Sequence, residues 1–173
     1  MTLYARVGST LGELLLVGER QPGAAGGASG AALVSVSLPG QKGGAAVREG
    51  WLHAPEAFAH VARQLTAYFE GRLTRFDLAY AEGVGTDFQR RVWKVLDSIP
   101  YGQTVSYGHV AAQVGSSGPG VRAVGTAIGR NPLLIVRPCH RVIGADGALR
   151  GYAGGVETKR RLLGLEGAPV AVR

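Results

Sequence analysis

The sequence predicts an α+β protein: a small antiparallel sheet with one helix, followed by a winged helix-turn-helix domain. Three observations predict it. Short β-like runs crowd the N-terminal part, at Leu3 to Val7, Glu13 to Val17 and Ala32 to Leu38. The pattern turns helical after Gly83-Val84-Gly85, which marks a boundary between residues 1–85 and 86–173. The charge divides at the same place. Residues 1–85 hold seven Lys/Arg and seven Asp/Glu, whereas residues 86–173 hold twelve and five, so the second part carries the whole net charge of +7.

The elements follow in order. Gly23 to Gly30 and Pro39 to Ala46 are small and Gly-rich, and they read as loops between strands. A helix is expected from Pro55 to Glu70, because Phe58, Val61, Ala62, Leu65, Tyr68 and Phe69 recur at three- and four-residue steps. Arg75 to Tyr80 alternates like a further strand. Thr86-Asp87-Phe88-Gln89 is a capping box opening a helix whose stripe is Phe88, Val92, Val95, Leu96 and Ile99. Trp93 adjoins that stripe and reads as core. Ser106 caps a short helix to about Val114, Gly115 to Gly118 forms a turn, and Pro119 opens a second helix to about Arg130 that bears Arg122. Leu133 to Val136 reads as a buried strand, Asp146-Gly147 as a hairpin turn, and Lys159-Arg160-Arg161 as a basic closing helix.

Composition narrows the function. A single cysteine, Cys139, can form no internal disulfide, and no C-x-x-C pair is present to hold zinc. The N-terminus lacks a signal-peptide pattern, and no apolar run approaches the ~18 residues of a membrane span. A reducing, cytoplasmic setting is therefore expected, with no membrane partner and no metal or other cofactor. Charge confined to one half favours a polyanion partner over a merely solvated basic face.

Cys139 is the centre of the chemistry. A buried structural cysteine is the plain alternative. Against it stand Arg137, His140 and Arg141, which place positive or potentially positive groups beside the sulfur, and Pro138, which fixes the backbone just before it. A thiol beside an imidazole is a recipe for an activated nucleophile.

Pro138-Cys139-His140-Arg141-Val142 resembles the active-site signature of the O6-alkylguanine-DNA alkyltransferases, the methylated-DNA–protein-cysteine methyltransferases. Thr86-Asp87-Phe88-Gln89 with Val92-Trp93, Ile99-Pro100-Tyr101-Gly102, Ser106-Tyr107, Arg122-Ala123-Val124-Gly125, Asn131-Pro132, Gly151-Tyr152 and Glu166-Gly167 follow in that family's order and spacing. The resemblance is dense from Thr86 to Gly167 and weak before it. It implies an RNase H-like N-terminal domain and a winged-helix C-terminal domain. It also implies direct-reversal repair of double-stranded DNA: one irreversible transfer of an alkyl group from O6-alkylguanine to Cys139, with O4-alkylthymine as a further substrate. A monomer is expected, with cooperative binding on DNA left open.

The resemblance also assigns roles. His140 takes the thiol proton through a water, and Glu166 holds the imidazole. Tyr107 donates to the leaving guanine and is counted with the DNA contacts. Asn131 ties the recognition helix to the active-site segment. Val142 and Ala153 offer main-chain groups to a flipped base, and the Tyr152 ring walls its pocket. Arg122 fills the gap left in the base stack, a simple phosphate contact being the other reading, and that helix enters the minor groove. Arg141 is assigned to DNA, since the basic residues beside the sulfur need not all activate it. Arg137 departs from the pattern, standing where the family has an aliphatic residue. Two rival functions share parts of this pattern: a cysteine hydrolase built on Cys139 and His140, and a non-catalytic DNA-binding module.

Overall fold

The computed structural model describes residues 1–21, 30–116 and 120–169, which form two compact units, Met1–Glu82 and Gly83–Arg173. The expected boundary fell at Gly85. Most of the Gly23 to Gly30 stretch lies outside the described residues, as do Ser117 to Pro119, including the expected helix-opening proline.

In the first unit, β1 (Thr2–Val7), β2 (Leu14–Arg20) and β3 (Ala31–Ser37) make an antiparallel meander. The sheet is not wholly antiparallel. β4 (Leu52–His53), not expected from the sequence, pairs with β1 in parallel to give the order β3-β2-β1-β4. The helix expected from Pro55 begins as a 3-10 turn, Pro55–Phe58, and continues as α1 (Ala59–Phe69). It buries Phe58, Val61, Leu65 and Tyr68. Gly18 permits that packing, because a Cβ there would stand 2.6 Å from the Ala32 carbonyl and 3.1 Å from the Phe58 ring.

Arg75 to Tyr80 is not a strand. Gln64 of α1 takes the backbone of Asp77 at both ends, donating to its carbonyl at 2.8 Å and accepting its N–H at 2.9 Å. The chain reaches the sheet at its end, in a parallel bridge of Tyr80 to Leu33: the Leu33 N–H donates to the Ala79 carbonyl and the Ala81 N–H to the Leu33 carbonyl, both at 2.9 Å. A side-chain amide here replaces a strand partner, which alternation in the sequence cannot reveal.

The second unit begins with α2 (Asp87–Asp97), and both halves of its capping box are formed: Thr86 Oγ1 accepts the Gln89 N–H at 3.1 Å, and Gln89 Oε1 accepts the Thr86 N–H at 3.0 Å. Val92, Trp93, Leu96 and Ile99 are buried, while Phe88 and Val95 are half-buried. Trp93 is core as expected, its indole N–H donating to the Ala127 carbonyl at 2.9 Å. α3 (Tyr107–Gln113), capped by Ser106, and α4 (Gly120–Gly129) are the two helices of the expected helix-turn-helix. α5 (Val156–Leu165) closes the unit.

Two expectations about strands fail here. No extended strand forms: Leu133 makes an isolated bridge and Leu134 to Val136 are turns, with Val136 N–H bonded to the Leu134 carbonyl and Arg137 N–H to the Leu133 carbonyl. Ile135 sits at φ 72°, strained for a β-branched residue and held there by complete burial. The Asp146-Gly147 turn forms, pinned by the Asp146 carboxylate on the Ala148 N–H and on Arg150. It joins no strand pair, however: β6 (Val142–Ile143) pairs in parallel with β5 (Val105–Ser106).

Candidate active site

The reactive segment is a single 3-10 turn, Cys139–Arg141. Such a turn sends three consecutive side chains in three directions. Cys139 faces a cavity of about 230 Å³, and the next two residues, His140 and Arg141, reach Glu166. The other cavity walls are Tyr107 of α3, Gly125, Ile128 and Gly129 of α4, Leu134, and the loop Gly151 to Ala153.

Behind the sulfur lies a buried charged cluster. His140 is fully buried, and its Nε2 stands 2.7 Å from Glu166 Oε2. Its Nδ1 makes no hydrogen bond to the protein. Burial pushes the imidazole below its ordinary value, although Glu166 pulls the other way, so the ring is neutral near pH 7. Arg141 grips the same carboxylate with two bonds, Nε to Oε1 at 2.7 Å and Nη2 to Oε2 at 3.1 Å, and donates to the Ile99 carbonyl at 2.6 Å. Gly102, at φ 79°, lets the chain after α2 pass the Glu166 carbonyl, which a Cβ would approach to 3.1 Å.

This corrects the assignment of Arg141 to DNA. The residue is only 7% exposed, and each of its three nitrogens donates inside the fold. An arginine buried on a carboxylate keeps that carboxylate ionised and fixed, and is shielded from a phosphate.

The cations expected to stabilise a thiolate are also redistributed. Burial dominates and pushes the Cys139 thiol above its ordinary range. Hydrogen bonding from Asn131 and the charges of Lys159 and Arg137 pull it back in part. The resting state is therefore a neutral thiol beside a neutral imidazole.

Lys159 is the residue that sequence reasoning missed. It belongs to the basic closing helix, yet it is 1% exposed, and its ammonium donates to the Val142 carbonyl at 2.6 Å and the Arg150 carbonyl at 3.4 Å. Desolvation lowers its pKa to about 8, opposed by the charge of Cys139. The signal was available: Lys159, Leu162, Leu163 and Glu166 lie at i, i+3, i+4 and i+7, a buried stripe with a charge at each end.

The remaining expected residues fall as follows. Tyr107 lines the cavity half-buried, and burial raises its pKa, so its phenol is protonated and able to donate. Tyr152 and Ala153 line it as well. Val142 is buried in β6 behind that wall, with its N–H bonded to the Cys139 carbonyl and its carbonyl held by Lys159. Arg122 is exposed on α4, on the stripe that carries Gly125 and Gly129. Asn131 is 2% exposed. Its carboxamide accepts the Leu133 N–H at 3.0 Å and donates to the carbonyls of Leu133 at 3.4 Å and Arg137 at 3.1 Å. Among the described residues, no group of His, Cys, Asp and Glu could hold a metal ion, and no helix is long and apolar enough to cross a membrane.

A basic helix-turn-helix unit with a buried cysteine–histidine–glutamate arrangement behind a small cavity defines a class: a DNA-binding protein carrying its own nucleophile. The comparisons agree. Residues 87–168 match the model of the 6-O-methylguanine DNA methyltransferase DNA-binding domain. A methylated-DNA–protein-cysteine methyltransferase of Methanosarcina acetivorans is 42% identical over 95% of this chain and 98% of its own. The one from Mycolicibacterium paratuberculosis is 56% identical over 69% of this chain and 71% of its own. The crystal structure of Mycobacterium tuberculosis OGT in complex with DNA superposes with a TM-score of 0.80 at 45% identity, covering 96% of this chain and 95% of that one. The chain belongs to the methylated-DNA–protein-cysteine methyltransferases, enzymes of alkyl-transfer DNA repair.

Proposed function

We propose that Cys139 accepts the alkyl group of O6-alkylguanine in double-stranded DNA, once per molecule, from a nucleotide turned out of the helix into the cavity. One observation carries the reading: the sole cysteine lines a cavity of nucleobase scale, backed by His140 bonded to a buried carboxylate. A base edge inside a duplex cannot meet a sulfur that is 4% exposed, so the base must come to it.

The steps follow from the groups present. His140 Nδ1, which has no protein partner, takes the thiol proton through a water, and Glu166 stabilises the imidazolium that forms. The Lys159 charge favours the thiolate as it appears. Sulfur attacks the alkyl carbon, the carbon–O6 bond breaks, and the guanine leaves with its electron pair. Tyr107 donates to that leaving base. The thioether is inert to hydrolysis, so turnover ends there. Tyr152 and Ala153 flank the base, Arg122, exposed on α4, occupies the emptied stack from the minor groove, and Asn131 holds the segment between α4 and the cysteine. The protein acts as a monomer. O4-alkylthymine presents the same reacting group and is a further substrate.

Intact mass after incubation with O6-methylguanine duplex tests this reading. A gain of one methyl group on the protein, absent in Cys139→Ser, is expected. Methyl recovered in small soluble product, or tight DNA binding with no change of mass, would overturn it.

A further inference from the structure

The Arg137 guanidinium has no part in the chemistry above, yet it is built into the site. It lies over the Trp93 ring at 5.0 Å from the centroid, with Nε 3.3 Å from Asp97 Oδ1 and Nη1 3.5 Å from Asn131 Oδ1. Its side chain is only 15% exposed. Its own carbonyl accepts the Cys139 N–H at 2.8 Å and the Asn131 amide at 3.1 Å. Cys139, Asn131 and Arg137 therefore share one short piece of backbone, and the guanidinium ties that piece to α2. An aliphatic side chain, expected here from the family pattern, could make none of the polar contacts.

We propose that Arg137 is a positioning residue for the reactive sulfur, held on Trp93 and Asp97 so that it orients the Asn131 carboxamide and sets a positive charge beside Cys139. Its geometry explains the choice of arginine. The flat guanidinium stacks on the indole while its fixed fork points separate N–H groups at Asp97 and Asn131; an ammonium has no flat face to lay on the ring while it bonds both. The effect on the sulfur has two routes. Fixing the carboxamide preserves a hydrogen bond that favours the thiolate, and the charge itself acts in the same direction.

The inference rests on Cys139 being the acceptor, but its test does not require alkyl transfer. Cys139 is the only cysteine, so the pH dependence of iodoacetamide alkylation reports its thiol alone. Arg137→Met, which keeps the stem, is expected to raise the alkylation midpoint by about one pH unit. It should also slow single-turnover methyl transfer about tenfold near pH 7 while leaving the Kd for undamaged duplex unchanged. Arg137→Lys keeps the charge without the fork and is expected to fall between wild type and Arg137→Met. An unshifted midpoint in folded Arg137→Met would overturn the proposal, as would a loss confined to Kd, which would make Arg137 a DNA contact. Should Arg137→Met fail to fold, a wild-type midpoint and rate in Arg137→Lys would overturn it equally.

Discussion

Glu166 is the residue on which most of the site converges. It accepts from His140 and twice from Arg141 with its side chain wholly shielded. A buried carboxylate on two partners tolerates the loss of neither. Arg141→Met leaves the carboxylate uncompensated and is expected to destabilise the fold by about 3–5 kcal/mol, readable as a drop in Tm or in the urea midpoint. The His140 contact has a different consequence. Because its folded pKa is lowered, neutral His140 persists below the ordinary imidazole range, and the acid limb of methyl transfer should fall below that range. His140→Gln should slow the transfer at every pH and remove that limb. An acid limb unchanged in His140→Gln would assign the proton transfer to another group.

At the scale of elements, one turn governs where the cysteine stands. Asn131 serves three backbone groups across Leu133 and Arg137, so Leu134 to Val136 turns instead of extending as a strand. Asn131→Ala removes all three bonds within a buried segment, and each orphaned group costs about 1–3 kcal/mol. The expected result is a marginal second unit, seen as early loss of amide protection around Leu133 in hydrogen exchange, with Arg137 N–H close behind. Protection kept at wild-type level would show that packing around Ile135 alone holds the turn. This segment also marks the limit of sequence reading. The helices of the second unit were legible because capping and periodicity are local: Thr86 with Gln89, Ser106 before α3, the stripe ending at Ile99. The Leu133 to Val136 segment and the Arg75 to Tyr80 segment were not, because side-chain amides outside the β-like runs, Asn131 and Gln64, supply their hydrogen bonds. Lys159 and Arg141 were misread for a related reason. Charge reads as surface until the carboxylate or carbonyl that receives it is known.

At the scale of the whole molecule, protonation and charge make separate demands. With its folded pKa lowered, His140 contributes stability that is present above its ordinary value of 6.5 and is lost as the pH falls through the folded value, because the unfolded chain takes the proton first. Lys159, lowered to about 8, acts in the same sense at higher pH, whereas the raised Cys139 thiol opposes it there. The clean window is thus the acid one: melting at pH 7.5 and 5.5 should show a drop for the wild type that is smaller in His140→Gln.

Charge then decides how the molecule meets DNA. The second unit carries the +7, but Arg141 and Lys159 are held on partners inside the fold, so at most ten of its twelve Lys/Arg can meet phosphates. Each phosphate neutralised contributes about 0.9 to the slope of log affinity against log salt, so a slope of at most about 9 in magnitude is expected on undamaged duplex. Arg122, exposed beside the cavity-lining glycines of α4, separates two kinds of contact. If it touches a phosphate as well as filling the emptied base position, Arg122→Ala reduces the slope by about 1, and Arg122→Lys restores it. The transfer rate should not return with lysine, because an ammonium lacks the flat surface that stacks between bases. Recovery of both slope and rate in Arg122→Lys would reduce Arg122 to a point charge.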